Sequence, residues 1–189
     1  ITGTGSLTKN NTSTLTLSGV ANTYNGSTTV NAGTLQLAGN ITSSALTLNS
    51  GGTISIGTST VAASSTASTI TIGGNTNYLW TLASGALGST AGTDYDQLSA
   101  TGALTFNNTE LNPFTVYVYG NATGWDGSLN KSWNIMSAGS VVGFNSANFS
   151  VNLANFGVLP ANRTGIWSFT SAGGNITLNY ELATPDYFW

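Results

Sequence analysis

The 189-residue chain contains no cysteine and no histidine. Disulfides are thereby excluded, as are Ser-His-Asp and Cys-His nucleophilic centres and the zinc, copper or haem sites that depend on those ligands. Charge is almost absent as well. Three basic residues (Lys9, Lys131, Arg163) face six acidic ones, so 5% of the chain is charged, against roughly a quarter in ordinary globular domains. The net charge of −3 and the lack of any Lys/Arg cluster argue against nucleic acid or anionic lipid as a partner. So small a charge also opposes self-association only weakly. No apolar run approaches the roughly 18 residues that a membrane-spanning helix needs. The chain begins at Ile1 without a methionine or a signal segment, which reads as a processed terminus or a fragment boundary.

What fills the chain is Gly, Ser, Thr and Asn, together with 40% hydrophobic residues. That hydrophobic share predicts a folded chain, because disorder needs low hydrophobicity or high charge. A dipeptide alternation recurs at Leu15-Thr-Leu17, Leu35-Gln-Leu37, Leu46-Thr-Leu48, Ile54-Ser-Ile56 and Ile70-Thr-Ile72. Each places two apolar side chains on one face of a strand and a polar residue on the other. Gly, Asn and Ser bound most of them as turn residues. Helix formers are scarce and no 3.6-residue period is visible, so the chain reads as all-β. Strands this short cannot bury an apolar face alone. Stacked as rungs of a solenoid they share one core, and a β-sandwich is the competing arrangement.

A composition boundary falls near residue 78. Before it stand one aromatic, Tyr24, and one charge, Lys9; after it come all five tryptophans and all six acids. The lumen of a thin solenoid holds Leu, Ile and Val but has little room for Trp. Residues 1–77 therefore read as a narrow solenoid region. Residues 78–189 read as a broader aromatic-rich β region with a C-terminal tail, either sandwich-like or a widened solenoid.

The stretch from Gly3 to Gly39, "GTGSLTKNNTSTLTLSGVANTYNGSTTVNAGTLQLAG", resembles the autotransporter-associated β-strand repeat. It carries that family's G-x-G-x-L-x-K segment, then L-T-L-x-G, then N-T-Y-x-G-x-T-x-V-x-x-G-T-L, in order. Beyond residue 40 the likeness thins to the L-x-L alternation. The resemblance implies a right-handed parallel β-helix, exported and displayed outside a bacterial cell as a passenger, surface or matrix protein, with no catalysis in the repeat. Within the motif, Asn25-Gly26 and Ala32-Gly33 read as turns that use positive φ. Asn22, Asn25 and Asn31 are candidates for amide ladders between rungs.

Chemistry has few carriers. Asp94 and Asp96, at i and i+2, share a face if their segment is a strand, which leaves a carboxylate pair or a calcium site open in principle. "GTDYDQL" reads more simply as a turn entering a strand. A Lys–Asn crosslink through Lys9 or Lys131, with Glu110 or Glu181 as catalyst, requires a buried lysine. Trp125, in the turn-rich "GNATGWDGSLN", is a candidate glycan contact, or else a ring folded over the core edge. The ten N-x-S/T sequons follow from a composition rich in Asn, Ser and Thr. No catalytic, metal or cofactor-binding residue is expected, and the chain reads as a non-enzyme.

The ends invite association. The opening "ITGTGSLT" has neither charge nor proline to blunt a strand edge. The closing "ELATPDYFW" ends in three aromatics able to seat in a groove. Ile1, Tyr187, Phe188 and Trp189 are thus the expected assembly residues of a head-to-tail homopolymer. The expected function is that of a secreted or surface structural protein, a self-assembling subunit of an extracellular bacterial filament or layer. The alternative is a surface adhesin or polysaccharide-binding module.

Overall fold

In a computed structural model, which describes residues 1–20, 22–86, 89–162 and 164–182, the chain winds as a parallel β-solenoid of two facing sheets. The first three rungs are β1 (Leu7–Lys9) with β2 (Thr14–Leu17), β3 (Thr28–Val30) with β4 (Gly33–Leu37), and β5 (Leu46–Leu48) with β6 (Gly52–Ile56). The fourth rung has three strands, β7 (Ser64–Ala67), β8 (Ile70–Ile72) and β9 (Thr76–Thr81). The last two rungs pair β10 (Gln97–Phe106) with β11 (Phe114–Tyr119), and β12 (Lys131–Val142) with β13 (Phe149–Asn152). A hairpin of β14 (Ile166–Ala172) and β15 (Asn175–Glu181) then lies antiparallel on β12 and closes one sheet.

All five predicted apolar alternations are strands, and their uneven spacing now has a cause. Leu15 and Leu17 share a sheet with Leu35 and Leu37 one full turn on, and from there successive pairs alternate: Leu46 and Leu48 lie in the other sheet, Ile54 and Ile56 back in the first, Ile70 and Ile72 in the other again. Their side chains line the lumen as columns in register. Leu15, Leu35, Ile54, Tyr78, Val116 and Val151 form one such column across six rungs.

That column also records a change of width. Side-chain hydrogen bonds between neighbouring rungs join residues 18 to 24 apart in the early rungs. In the later rungs the separation is 35 to 40 residues. The change is made by β10, whose first half pairs with β7 and whose second half pairs with β8. Two strands of one rung are thus covered by a single strand of the next. The wider lumen needs bulkier filling, and Tyr78, Trp80, Phe106, Phe114 and Trp133 supply it, all buried. The aromatic-rich second half is therefore a widened continuation of the same stack. The 77/78 position suggested by composition lies inside β9, which pairs with β6 on one side and β11 on the other.

The repeat motif is a set of corner fixings. Asn22 is buried; its amide Nδ2 donates to the Gly19 and Asn40 carbonyls at 3.3 and 3.2 Å. The buried Tyr24 hydroxyl meets Thr28 Oγ1 at 2.6 Å, Thr28 meets Ser44 at 2.7 Å, and Ser44 donates to the Gly26 carbonyl at 2.7 Å. Gly33 has a φ of 68°, as a positive-φ turn requires. Gly26 is needed for another reason: a Cβ there would stand 2.3 Å from the Gly5 carbonyl oxygen. Amide ladders form at one of the three expected positions. Asn31 Nδ2 donates to Asn10 Oδ1 and Asn49 Nδ2 to Asn31 Oδ1, each at 2.7 Å. Asn75 and Asn112 repeat the contact higher in the stack at 2.7 Å.

Candidate interaction surfaces

Most residues able to carry chemistry are occupied in holding the backbone. Asp94 and Asp96 do not share a strand face, because β10 begins at Gln97 and residues 92–94 form a turn. Asp94 Oδ2 accepts from the Thr90 backbone N–H at 2.6 Å within that turn. Asp96 is fully buried; its two oxygens accept from the Ala63 and Thr81 N–H groups at 2.8 and 2.9 Å. Its own carbonyl accepts from Trp80 Nε1 at 2.7 Å. Burial pushes the Asp96 carboxyl up to about 8, against the opposing pull of the two N–H bonds. Asp96 thus ties three chain segments together where the solenoid widens. Among the described residues, no three His, Cys, Asp or Glu side chains converge as a metal site would require.

Both described lysines are buried. Lys9 Nζ donates to the Asn11 carbonyl, to Asn11 Oδ1 at 2.8 Å and to the Ala32 carbonyl at 3.2 Å. Its stem occupies the lumen column continued by Val30, Leu48 and Ile72, so the first rung closes its end with an inward-turned cation. The amide nearest its ammonium is only two residues along the chain, where a crosslink would constrain little. Lys131 Nζ sits 5.3 Å from the centroid of the Trp125 ring, a cation–π contact. Burial lowers its pKa while Asp126 opposes the shift. Glu110 and Glu181, the suggested crosslinking catalysts, are exposed.

Trp125 is half-buried at the rim of the wide end. Its ring lies nearly parallel to Trp133 and Trp167, at 16° and 9° with centroids 6.3 and 6.0 Å away. Phe156 and Tyr180 meet it edge-on, and its Nε1 donates to the Asn162 carbonyl at 2.5 Å. Packing and hydrogen bonding thus fix the ring in one orientation. An open groove beside it is lined by Asp126, Ser128, Asn162, Thr164 and Leu182.

The ends of the stack expose strand edges. Among the described residues, β1 and β2 each have a parallel neighbour on one side only, and at the other end the outermost strands are β14 and β13. Ile1 is 60% exposed, and its ammonium group donates to Asn22 Oδ1 at 3.0 Å. Tyr187, Phe188 and Trp189 lie outside the described residues.

Sequence reasoning missed the partners of Asp96. Ala63 and Thr81 are 33 and 15 residues away, and nothing local marks them. It also missed a recurrence in the chain, S-L-T-K-N, S-T-T-V-N, A-L-T-L-N, T-I-T-I-G and A-L-T-F-N, whose copies fall on successive rungs of one sheet.

In comparison with known proteins, the model of one family, the passenger-associated-transport-repeat, matches residues 7–37. That span covers β1 to β4, the first two rungs, and ends at the inward-facing Leu37. No curated protein and no solved structure matches the chain. The first two rungs are therefore similar to the repeat found in autotransporter passengers, and the solenoid they begin continues well beyond the matched segment.

Proposed function

We propose that this chain is a structural module of a secreted or surface-displayed bacterial protein, a subunit that joins copies of itself end to end into a filament or layer. The carrying observation is that, among the described residues, the outermost strands have a neighbour on one side only: β1 and β14 in one sheet, β2 and β13 in the other. A head-to-tail joint would bring unlike edges together in both sheets at once, and unlike surfaces meeting by a rotation that does not close generate open fibres. Ile166 on β14 is 61% exposed and supplies apolar area to such a joint. The match to the passenger-associated repeat supports the extracellular setting. The sparse surface charge supports close approach.

The reading is tested by negative-stain electron microscopy and light scattering over a range of concentrations. Three chains are compared: the intact chain, one lacking residues 183–189, and one carrying Thr14→Lys and Thr16→Lys on the β2 edge. Outward lysines on an edge strand oppose strand addition. Fibres from the intact chain that are lost in both variants are the expected result. Single particles at every concentration would remove the assembly reading. The adhesin would then take its place, tested by glycan binding that disappears in Trp125→Ala.

A further inference from the structure

The outer face of the sheet built from β2, β4, β6, β9, β11 and β13 carries a groove of about 290 Å³. It starts at Thr14 on the first rung and crosses Gln36, Ser55 and Leu79 on the next three. It ends at Tyr119 on the fifth. Four rung steps of about 4.7–4.9 Å make it about 19 Å long, running along the stack.

Residues 57–61 form one wall, and that wall is pinned. Gly57 turns the chain with a φ of 64°, and its carbonyl accepts from Gln36 Nε2 at 2.6 Å. The Thr58 carbonyl accepts from Thr81 Oγ1 at 2.7 Å, and Thr58 Oγ1 accepts from the Val61 N–H at 3.1 Å. At the far end the Tyr119 hydroxyl accepts from Asn155 Nδ2 at 3.0 Å. The groove thus has its shape before any ligand arrives, as small-molecule sites commonly do.

One polar group in the lining is left over. Ser55 is 8% exposed, and among the described residues its hydroxyl has no hydrogen-bond partner. Its ladder neighbour Gln36 is satisfied at both ends of the amide, by Thr16 and by the Gly57 carbonyl. Side-chain polar groups covered to this degree are normally bonded. The surface that Ser55 retains opens into the groove, so a ligand lying there can supply the missing bond.

The lining also states the chemistry of that ligand. None of its nine residues is charged, so nothing in it offsets the desolvation of an ionised group. Thr34 and Ser59 add neutral hydroxyls that both donate and accept. Leu79 and Tyr119 add half-buried apolar surface, and Tyr117 stands beside Leu79 at the next outward position of β11. An extended peptide would need a strand edge for its backbone. Here β4, β6, β9 and β11 are paired on both sides, and only side chains face out. Hydroxyls alternating with C–H faces, without charge, are what a neutral sugar chain presents.

We infer that this groove binds a segment of a neutral, linear polysaccharide laid along the stack. Ser55 hydrogen-bonds a sugar hydroxyl, and the fixed Tyr119 ring stacks on a sugar face. The groove lies on the flank of the solenoid, so the site is separate from the end-to-end joint and from Trp125.

The test is affinity electrophoresis of the intact chain in native gels containing hydroxyethylcellulose, soluble starch or galactomannan. Polygalacturonate serves as the acidic counterpart. Mobility is referred to a gel without polymer, so self-association does not register as binding. Retardation by at least one neutral polymer and none by polygalacturonate is expected. Tyr119→Ala should weaken it about tenfold or more, and Ser55→Ala about fivefold, with folding checked by circular dichroism. Trp125→Ala should bind as the intact chain does. No retardation by any of the three neutral polymers would overturn the inference. So would equal retardation by polygalacturonate, or binding that survives in folded Tyr119→Ala.

Discussion

The narrow and wide halves of this solenoid solve the same packing problem in different ways. In the narrow half, rungs 18 to 24 residues round are filled by Leu, Ile and Val. Each rung depends on the next for most of its burial. In the wide half, rungs of 35 to 40 residues enclose a lumen too broad for aliphatic side chains alone. Trp80, Trp133, Tyr95 and their neighbours fill it, with ring centroids about 6 Å apart. The difference teaches that the width of a stacked fold is a sequence variable. It is set where one long strand bridges two short ones and read out in the size of the lumen residues.

The comparison can be broken most forcefully at Trp80. This ring is fully buried, touches Tyr95 and Trp133, and donates to the Asp96 carbonyl. Trp80→Ala should cost about 3–5 kcal/mol in denaturant unfolding and loosen both sides of the junction. Leu35→Ala should cost about 2–4 kcal/mol, and hydrogen exchange should show the loss confined to the narrow rungs. Equal loosening of both halves by Leu35→Ala would mean that the stack unfolds as a single cooperative unit.

A second way to sharpen the contrast uses pH. The Asp96 carboxyl is raised to about 8 in the fold from an ordinary value near 4, so the folded state binds a proton that the unfolded state has lost. Stability should therefore fall as pH rises from about 4 to about 8 and level off beyond. Asp96→Asn should flatten that slope. It should also cost about 1–3 kcal/mol at low pH, because an amide nitrogen would face the N–H of Ala63 or Thr81. A stability profile unchanged by the substitution would show that the carboxyl titrates normally.

The smallest effect belongs to the asparagine ladder. Asn31→Ala removes two exposed amide bonds, to Asn10 and Asn49, and should cost about 1 kcal/mol, seen as faster exchange in β1 and β3. The wide half should not respond.

Much of this was legible in the sequence because the inward columns use one residue class at a period of two. Leu15-Thr-Leu17 and Ile54-Ser-Ile56 announce strand, face and lumen in three letters. The Tyr24, Gly26 and Thr28 positions of the repeat were legible as a pattern, though the reason for Gly26 was not. Its carbonyl neighbour Gly5 lies one rung away, where only the stacked structure brings it. The widening was visible as an aromatic boundary. Its mechanism was not, because nothing in "QLSATGALTF" shows that this strand covers both β7 and β8. Trp125 was legible as a ring in a turn, and its three-tryptophan packing depends on contacts across more than forty residues of chain.

The taper also gives the molecule a direction under force. Its wide end finishes in an antiparallel hairpin whose strands are close in sequence, while its narrow end is a stack of small loops added one at a time. A pull applied at Ile1 meets the weakest rung first, because each narrow turn is held by only its neighbour. The chain should lengthen in steps of about 70 Å as successive turns of some 20 residues peel away. It should then resist, and give once more by a step nearly twice as long when the aromatic rungs yield. Pulled from the other terminus the order has no such gradient. The solenoid is in that sense a one-way fuse, soft toward its beginning and stiff toward its end.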